Sequence, residues 1–65
     1  MSIASIKDYH PKAIPGLYTF DHWEHESGAF IQASIRRDVF IHCLPDGHIK
    51  EFHSLAALKT YVESL

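Results

Sequence analysis

Residues 39–65 read VFIHCLPDGHIKEFHSLAALKTYVESL, and this stretch decides the fold that the sequence predicts. Residues 39–44 are apolar on both faces of an extended chain, which favours a strand. Pro45, Asp46 and Gly47 suit the successive positions of a three-residue hairpin loop, with the glycine in the left-handed conformation. Residues 48–53 then return as a second strand, so the stretch begins as a β-hairpin.

The hairpin is followed by a predicted helix over residues 54–65. Ser54 is placed to cap this helix, because its hydroxyl can accept hydrogen bonds from the free amides of the first turn. Leu55, Leu58, Val62 and Leu65 recur at the spacing of one helical stripe. A helix this short is marginal alone in water, so we expect the stripe to pack on the sheet.

Two more strands are predicted before the hairpin. Residues 17–25 are rich in aromatic and β-branched side chains, and residues 29–36 alternate isoleucine and alanine with more polar neighbours. Gly28 can adopt a positive φ in the turn between these two strands. Residues 37–38 make the next reversal, so the four strands form an antiparallel meander over 17–53.

Residues 1–16 are predicted to be an irregular N-terminal leader. Ser5 can cap a short turn over residues 6–9, and Pro15-Gly16 breaks the chain before the first strand. The predicted fold is therefore α+β. A single domain of residues 1–65 contains a four-stranded antiparallel meander, with one C-terminal helix packed on one face of the sheet.

The small size of the chain limits the stability that its core alone can provide. A chain of this length buries only about 60% of the surface that its unfolded form exposes. Cys43 is the one cysteine among the 65 residues, so stabilisation is expected from self-association or a metal unless the core packs unusually well. The free cysteine and the absence of a secretory leader predict a reducing, cytoplasmic compartment. No segment approaches the roughly 20 apolar residues of a membrane span.

The charge pattern argues against the commonest nucleic-acid-binding surfaces. Six Lys and Arg oppose eight acidic residues, for a net charge of −2, and the basic residues do not concentrate in one stretch. The chain also contains six histidines. Their protonation below about pH 6.5 would bring the net charge to about +4. Solubility and self-association are therefore expected to depend on pH.

No catalytic or metal-binding motif stands out. His22 and His25 are weak metal candidates, because strand alternation points them to opposite faces and zinc needs about four convergent ligands. His42 and Cys43 also face opposite sides, so they cannot pair as base and nucleophile, and Cys43 is expected to be a small core residue. We predict no cofactor and no enzymatic activity, since one helix on one sheet encloses little pocket volume.

The order strand, Asp-Gly turn, strand, aromatic residue, Ser or Thr and LxxL helix resembles the end of AP2-type and methyl-CpG DNA-binding domains. SH2 domains carry a similar F-x-S-L-x-x-L…Y stretch. Its counterparts here are Phe52, Ser54, Leu55, Leu58 and Tyr61. The resemblance implies a helix packed on a sheet. It assigns no site, because the basic sheet residues and the phosphate-gripping arginine of those families have no counterpart in this chain.

Surplus apolar surface is the main functional indication. One helix can cover only one face of the sheet, and we expect Phe20, Phe30 and Phe40 on the other, where exposed aromatic side chains usually bind a partner. The leading hypothesis is a small non-enzymatic interaction protein, accessory or inhibitory, that binds another protein or itself. The candidate partner-binding residues are Trp23, Phe30, Arg36, Arg37 and Phe40.

Two alternatives remain open. One is a small nucleic-acid-binding protein, with Arg36, Arg37 and Lys50 near phosphates and Phe30 or Phe40 stacked on bases. The other is a histidine-dependent metal-binding or pH-responsive protein. Trp23 is equally well interpreted as a core residue, and the two arginines as a solvated turn.

Overall fold

Five antiparallel strands and one C-terminal α-helix form the structure, a computed structural model that describes residues 5–34, 36 and 38–65. The strands lie in the sheet in chain order. Their bounds are β1 His10–Pro11, β2 Phe20–Glu24, β3 Phe30–Ser34, β4 Phe40–Cys43 and β5 Ile49–Phe52, and helix α1 is Leu55–Glu63. The predicted α+β class is confirmed, with five strands in place of four.

The additional strand, β1, comes from the segment that was predicted to be an irregular leader. His10 pairs with Glu24 and Pro11 with Trp23, and the Lys12 amide donates to the His22 carbonyl at 2.8 Å. Proline has no amide hydrogen, so Pro11 is tolerated at the edge of a sheet. A two-residue strand has no periodic pattern, which is why the sequence alone does not reveal it.

A short 3-10 helix at Ile6–Asp8 precedes β1 and packs against α1. The Ser5 hydroxyl accepts from the Lys7 amide at 3.3 Å, and the Asp8 carboxylate accepts from the Ser5 amide at 3.2 Å. The predicted turn capped by Ser5 is thereby confirmed. We call residues 5–12 the N-terminal arm, and this arm places Ile6 and Tyr9 on the hydrophobic core.

The hairpin between β4 and β5 follows the prediction closely. Gly47 has a φ of 97°, which favours glycine. Its amide donates to the Leu44 carbonyl at 2.9 Å, and the Asp46 carboxylate accepts from the His48 amide at 2.9 Å. The turn residues therefore close the hairpin for the reasons that the sequence indicated.

Helix α1 begins after Ser54, whose hydroxyl accepts from the Ala57 amide at 3.1 Å. Leu58 and Val62 are 1% and 0% exposed and belong to the core. The predicted stripe is wrong at its two ends, because Leu55 at the start of the helix is 56% exposed and Leu65, which follows the end of the helix, is 45% exposed. In the part of the chain that the structure describes, no helix combines the length and apolar character that a membrane crossing requires.

The strand register divides the sheet into two faces, since successive side chains alternate. The helix face is covered by α1 and the N-terminal arm, and Trp23, Ile31, Phe40 and Phe52 pack there. We call the opposite side the open face. Its side chains are His10, Phe20, His22, Glu24, Phe30, Gln32, Ser34, Ile41, Cys43, Ile49 and Glu51.

Candidate functional site

Four apolar side chains adjoin one another on the open face. Phe30, Cys43 and Ile49 pair directly across β3, β4 and β5, and Ile41 lies two residues before Cys43 on the same face. Ile49 is 68% exposed, and the other three are half-buried. We call Phe30, Ile41, Cys43 and Ile49 the apolar patch, and it lies on the face of the sheet opposite α1.

A polar network lies beside the apolar patch, on β2 and β3. His22 Nε2 is 3.0 Å from Glu24 Oε2, and the Gln32 amide nitrogen is 3.2 Å from His22 Nδ1. The Lys12 ammonium is 3.2 Å from the other Glu24 oxygen. If the Gln32 amide donates to Nδ1, the Nε2 hydrogen is free to donate to Glu24, so these contacts satisfy both nitrogens of one neutral tautomer.

The network also fixes the charge state of its carboxylate. Hydrogen bonds from His22 and Lys12 hold the pKa of Glu24 below its ordinary value of 4.5. The His22 ring lies against the Phe30 ring, with centroids 5.1 Å apart. The network therefore borders the apolar patch directly and presents satisfied polar groups at its margin.

The other margin of the apolar patch is the edge strand β5. Glu51 is on the open face, and its carboxylate is 3.0 Å from His53 Nε2. Lys50 is on the helix face, where its ammonium lies 4.8 Å from the Tyr61 ring centroid and 5.9 Å from that of Phe52. Glu51 and His53 therefore place polar groups beside the apolar patch on this side as well.

A buried polar pair occupies the helix face. The Tyr9 hydroxyl is 2.8 Å from His42 Nε2, and the two residues are 6% and 1% exposed. Among the described residues, His42 Nδ1 has no hydrogen-bond partner. The His42 ring also meets the rings of Tyr9 and Tyr61 nearly edge-on. His42 is therefore an imidazole held in an aromatic core by one hydrogen bond.

Burial changes the acid–base properties of both members of this pair. It lowers the pKa of His42, because an imidazolium would lose its hydration there. It also raises the pKa of Tyr9, and the charges of Tyr61 and Asp8 act in the same direction. Near neutral pH the pair is therefore a neutral imidazole and a neutral phenol.

The placement of Phe40 on the open face was wrong. Phe40 pairs with Ala33 and Phe52 and packs against the core beneath α1. Strand β4 is apolar on both faces, so its alternation does not reveal which side the helix covers. Trp23 likewise lies half-buried on the helix face against the core, which agrees with its interpretation as a core residue.

The remaining candidate partner-binding residues are differently placed. Phe30 lies on the open face, as expected, within the apolar patch. Arg36 is exposed, and its backbone amide lies 3.4 Å from the Ser34 hydroxyl. Arg37 lies outside the described residues. Among the predicted residues that the structure describes, only Phe30 lies in the apolar patch.

The histidine and cysteine candidates do not converge. His22 joins the polar network on the open face, whereas His25 Nδ1 lies 2.8 Å from the Ser27 hydroxyl and its ring contacts Tyr9. The described residues contain no group of three or more His, Cys, Asp or Glu placed to hold one metal ion. Cys43 is half-buried on the open face, so its placement in the core was wrong.

Three of the contacts described above could not be assigned from the sequence. His22 and Glu24 lie two residues apart on β2, so strand alternation alone puts them on one face. Lys12 and Gln32 join them only through β1–β2 pairing and the β2–β3 register. The Tyr9–His42 bond spans 33 positions, and no local pattern signals it.

Comparison with known proteins identifies no relative for this chain. No family model matches it, and no curated protein or solved structure is significantly similar.

Proposed function

We propose that this chain is a small non-enzymatic interaction protein that binds another protein through the apolar patch, and that a second copy of the chain is its first partner. The observation that carries the proposal is the pairing of Phe30, Cys43 and Ile49 across three adjacent strands, opposite the only face that α1 covers in the described structure. Such a surface gains free energy when a partner removes it from water.

The surroundings of the apolar patch support a protein partner. Protein interfaces combine an apolar centre with a polar rim that stays hydrated. Here the rim consists of the Lys12–Glu24–His22–Gln32 network on one side and the Glu51–His53 pair on the other. The rim groups already bond to one another, so covering the apolar centre leaves their hydrogen bonds in place.

The same rim gives little support to the nucleic-acid alternative. Glu24 and Glu51 both lie on the open face, and carboxylates repel phosphate. The Lys12 ammonium that approaches this face is paired with Glu24 at 3.2 Å. Base stacking on Phe30 would therefore take place beside two acidic side chains.

Substitution of Ile49 tests the proposal. Ile49→Lys places a charge in the apolar patch at a position that is 68% exposed, so folding should be preserved. Burial of an isoleucine side chain in the dimer interface contributes about 1.5–3 kcal/mol, so its loss should raise the dimer Kd roughly tenfold or more. The matched control is Tyr18→Lys, since Tyr18 is 84% exposed and outside the sheet. Sedimentation equilibrium should show weaker self-association for Ile49→Lys alone.

Cys43 allows an independent test of self-association through the same surface. Sheets that pack face to face lie about 10 Å apart, so a short bis-maleimide should join Cys43 of two copies in the wild-type chain and not in Ile49→Lys. A wild-type chain that stays monomeric at high micromolar concentration would contradict the proposal that a second copy is the partner. If wild type and Ile49→Lys then bound a hydrophobic dye equally, the apolar patch would not be the binding surface.

A further inference from the structure

We propose that protonation of His42 releases the part of the N-terminal arm that precedes β1, so that mild acid uncovers the core surface around Trp23. This device is on the helix face and does not depend on the proposed function of the open face. It rests on the Tyr9–His42 hydrogen bond of 2.8 Å and on the near-complete burial of both residues.

The site cannot hold an imidazolium without cost. A protonated imidazole carries two N–H donors, and in the described structure only the Tyr9 oxygen is within reach of one of them. The second donor, on Nδ1, would be buried without an acceptor. A buried charge without a partner is expelled or neutralised, so the protonated ring favours a state in which water reaches it.

The groups that face this pair do not compensate the charge. From β5, Lys50 is paired directly opposite His42, and its positive charge would repel an imidazolium. From α1, the neighbour is the Tyr61 ring, and from the β2–β3 turn, the His25 ring contacts Tyr9. The arm itself contributes Tyr9 and Asp8, and the Asp8 carboxylate does not offset the burial that lowers the pKa of His42.

The part of the N-terminal arm that precedes β1 is the segment that this charge would displace. Its Tyr9 hydroxyl makes the hydrogen bond to His42, while β1 is held separately by pairing with β2 and by the Lys12–Glu24 ion pair. Neither of these β1 contacts involves His42. Protonation of His42 should therefore detach Tyr9 and the 3-10 helix while β1 remains on the sheet.

The pH window follows from the direction of the shift. The pKa of His42 is lowered in the folded state, so the closed arm is fully favoured above the ordinary imidazole pKa of about 6.5. As the pH falls below that value, the open state binds the proton more readily. The ratio of open to closed arm should rise by up to tenfold per pH unit.

Trp23, the single tryptophan, is a natural reporter. It lies opposite Pro11 and lines a cavity of about 210 Å³ together with Ile6 and Tyr9. On acidification of the full chain, we expect a red shift of Trp23 emission and altered amide resonances for residues 5–9, with unchanged far-ultraviolet circular dichroism. His42→Phe, which keeps a ring but cannot titrate, should abolish the transition. His48→Asn removes an exposed histidine instead and should leave it intact.

If His42→Phe does not fold, Tyr9→Phe is the variant that tests the proposal. It keeps His42 and removes its one side-chain hydrogen bond, so the arm should open at a higher pH than in the wild type. An unchanged acid transition in either variant would overturn the proposal. Loss of the sheet signal together with the Trp23 shift would also overturn it, because that result means global unfolding and not release of the arm.

Discussion

The Tyr9 hydroxyl bonds to His42 Nε2 at 2.8 Å across 33 positions of the chain. This bond connects the N-terminal arm to strand β4, and both residues are almost completely buried. The bond explains how a segment with so little regular structure becomes part of the core. It also ties the packing of this segment to one phenol and one imidazole.

Removal of the Tyr9 hydroxyl should destabilise the protein. Tyr9→Phe leaves both nitrogens of the buried His42 ring without a partner, and the expected loss is about 1–2 kcal/mol in the free energy of unfolding at neutral pH. Urea denaturation measures it. Tyr18→Phe is the matched control, because Tyr18 is 84% exposed and its change should stay within about 0.5 kcal/mol. Equal losses in the two variants would contradict the stabilising role of the Tyr9–His42 bond.

The buried and the exposed leucines of α1 should respond differently to truncation. Leu58 is 1% exposed, so Leu58→Ala should cost about 2–5 kcal/mol, enough to unfold much of so small a domain. Leu55 is 56% exposed, and Leu55→Ala should cost less than about 1 kcal/mol. Thermal denaturation of both variants checks the difference. Similar melting temperatures would show that α1 does not pack through Leu58.

Glu24 should give the protein part of its resistance to acid. Its pKa is lowered by hydrogen bonds from His22 and Lys12, so its contribution is present above the ordinary value of 4.5 and is lost as the pH falls through the lowered value. Glu24→Gln should therefore show a shallower loss of stability with decreasing pH below about 4.5. Glu63→Gln, at the exposed end of α1, is the control and should follow the wild-type curve.

Strand β5 should be protected from pairing with its counterpart in a second copy. The Leu44 amide donates to the His48 carbonyl, so by alternation the backbone groups of Ile49 and Glu51 point to the free edge. A second copy could add its own β5 antiparallel to this edge in two centred registers. One register places Lys50 opposite Lys50 and the other places Glu51 opposite Glu51, and like charges that face each other in a sheet are destabilising.

Removal of these two charges should promote aggregation. The double variant Lys50→Thr/Glu51→Thr makes the edge uncharged and β-favouring, and light scattering during gentle heating should begin earlier than in the wild type. The control Lys59→Thr/Glu63→Thr removes the same pair of charges from the exposed side of α1 and keeps the net charge equal. If both double variants aggregate alike, the edge has no special role.

Local chemistry accounts for the parts of the fold that were predicted correctly. Gly47 and Asp46 close the hairpin and Ser54 caps α1 through contacts within a few residues, so the sequence contains both the signal and the partner. Phe30 was placed on the open face because β3 alternates clearly. Arg37 remains a prediction, since it lies outside the described residues.

What the sequence by itself determined is the order of the elements, the hairpin turn and the cap of α1, because these depend on near neighbours and on backbone preferences. Tertiary structure alone decided which side of β4 lies under the helix, and so moved Phe40 into the core and Cys43 to the open face. It also paired Tyr9 with His42 and added β1 to the sheet. A strand that is apolar on both sides has no preferred face until distant parts of the chain, here α1 and the N-terminal arm, pack against one of them.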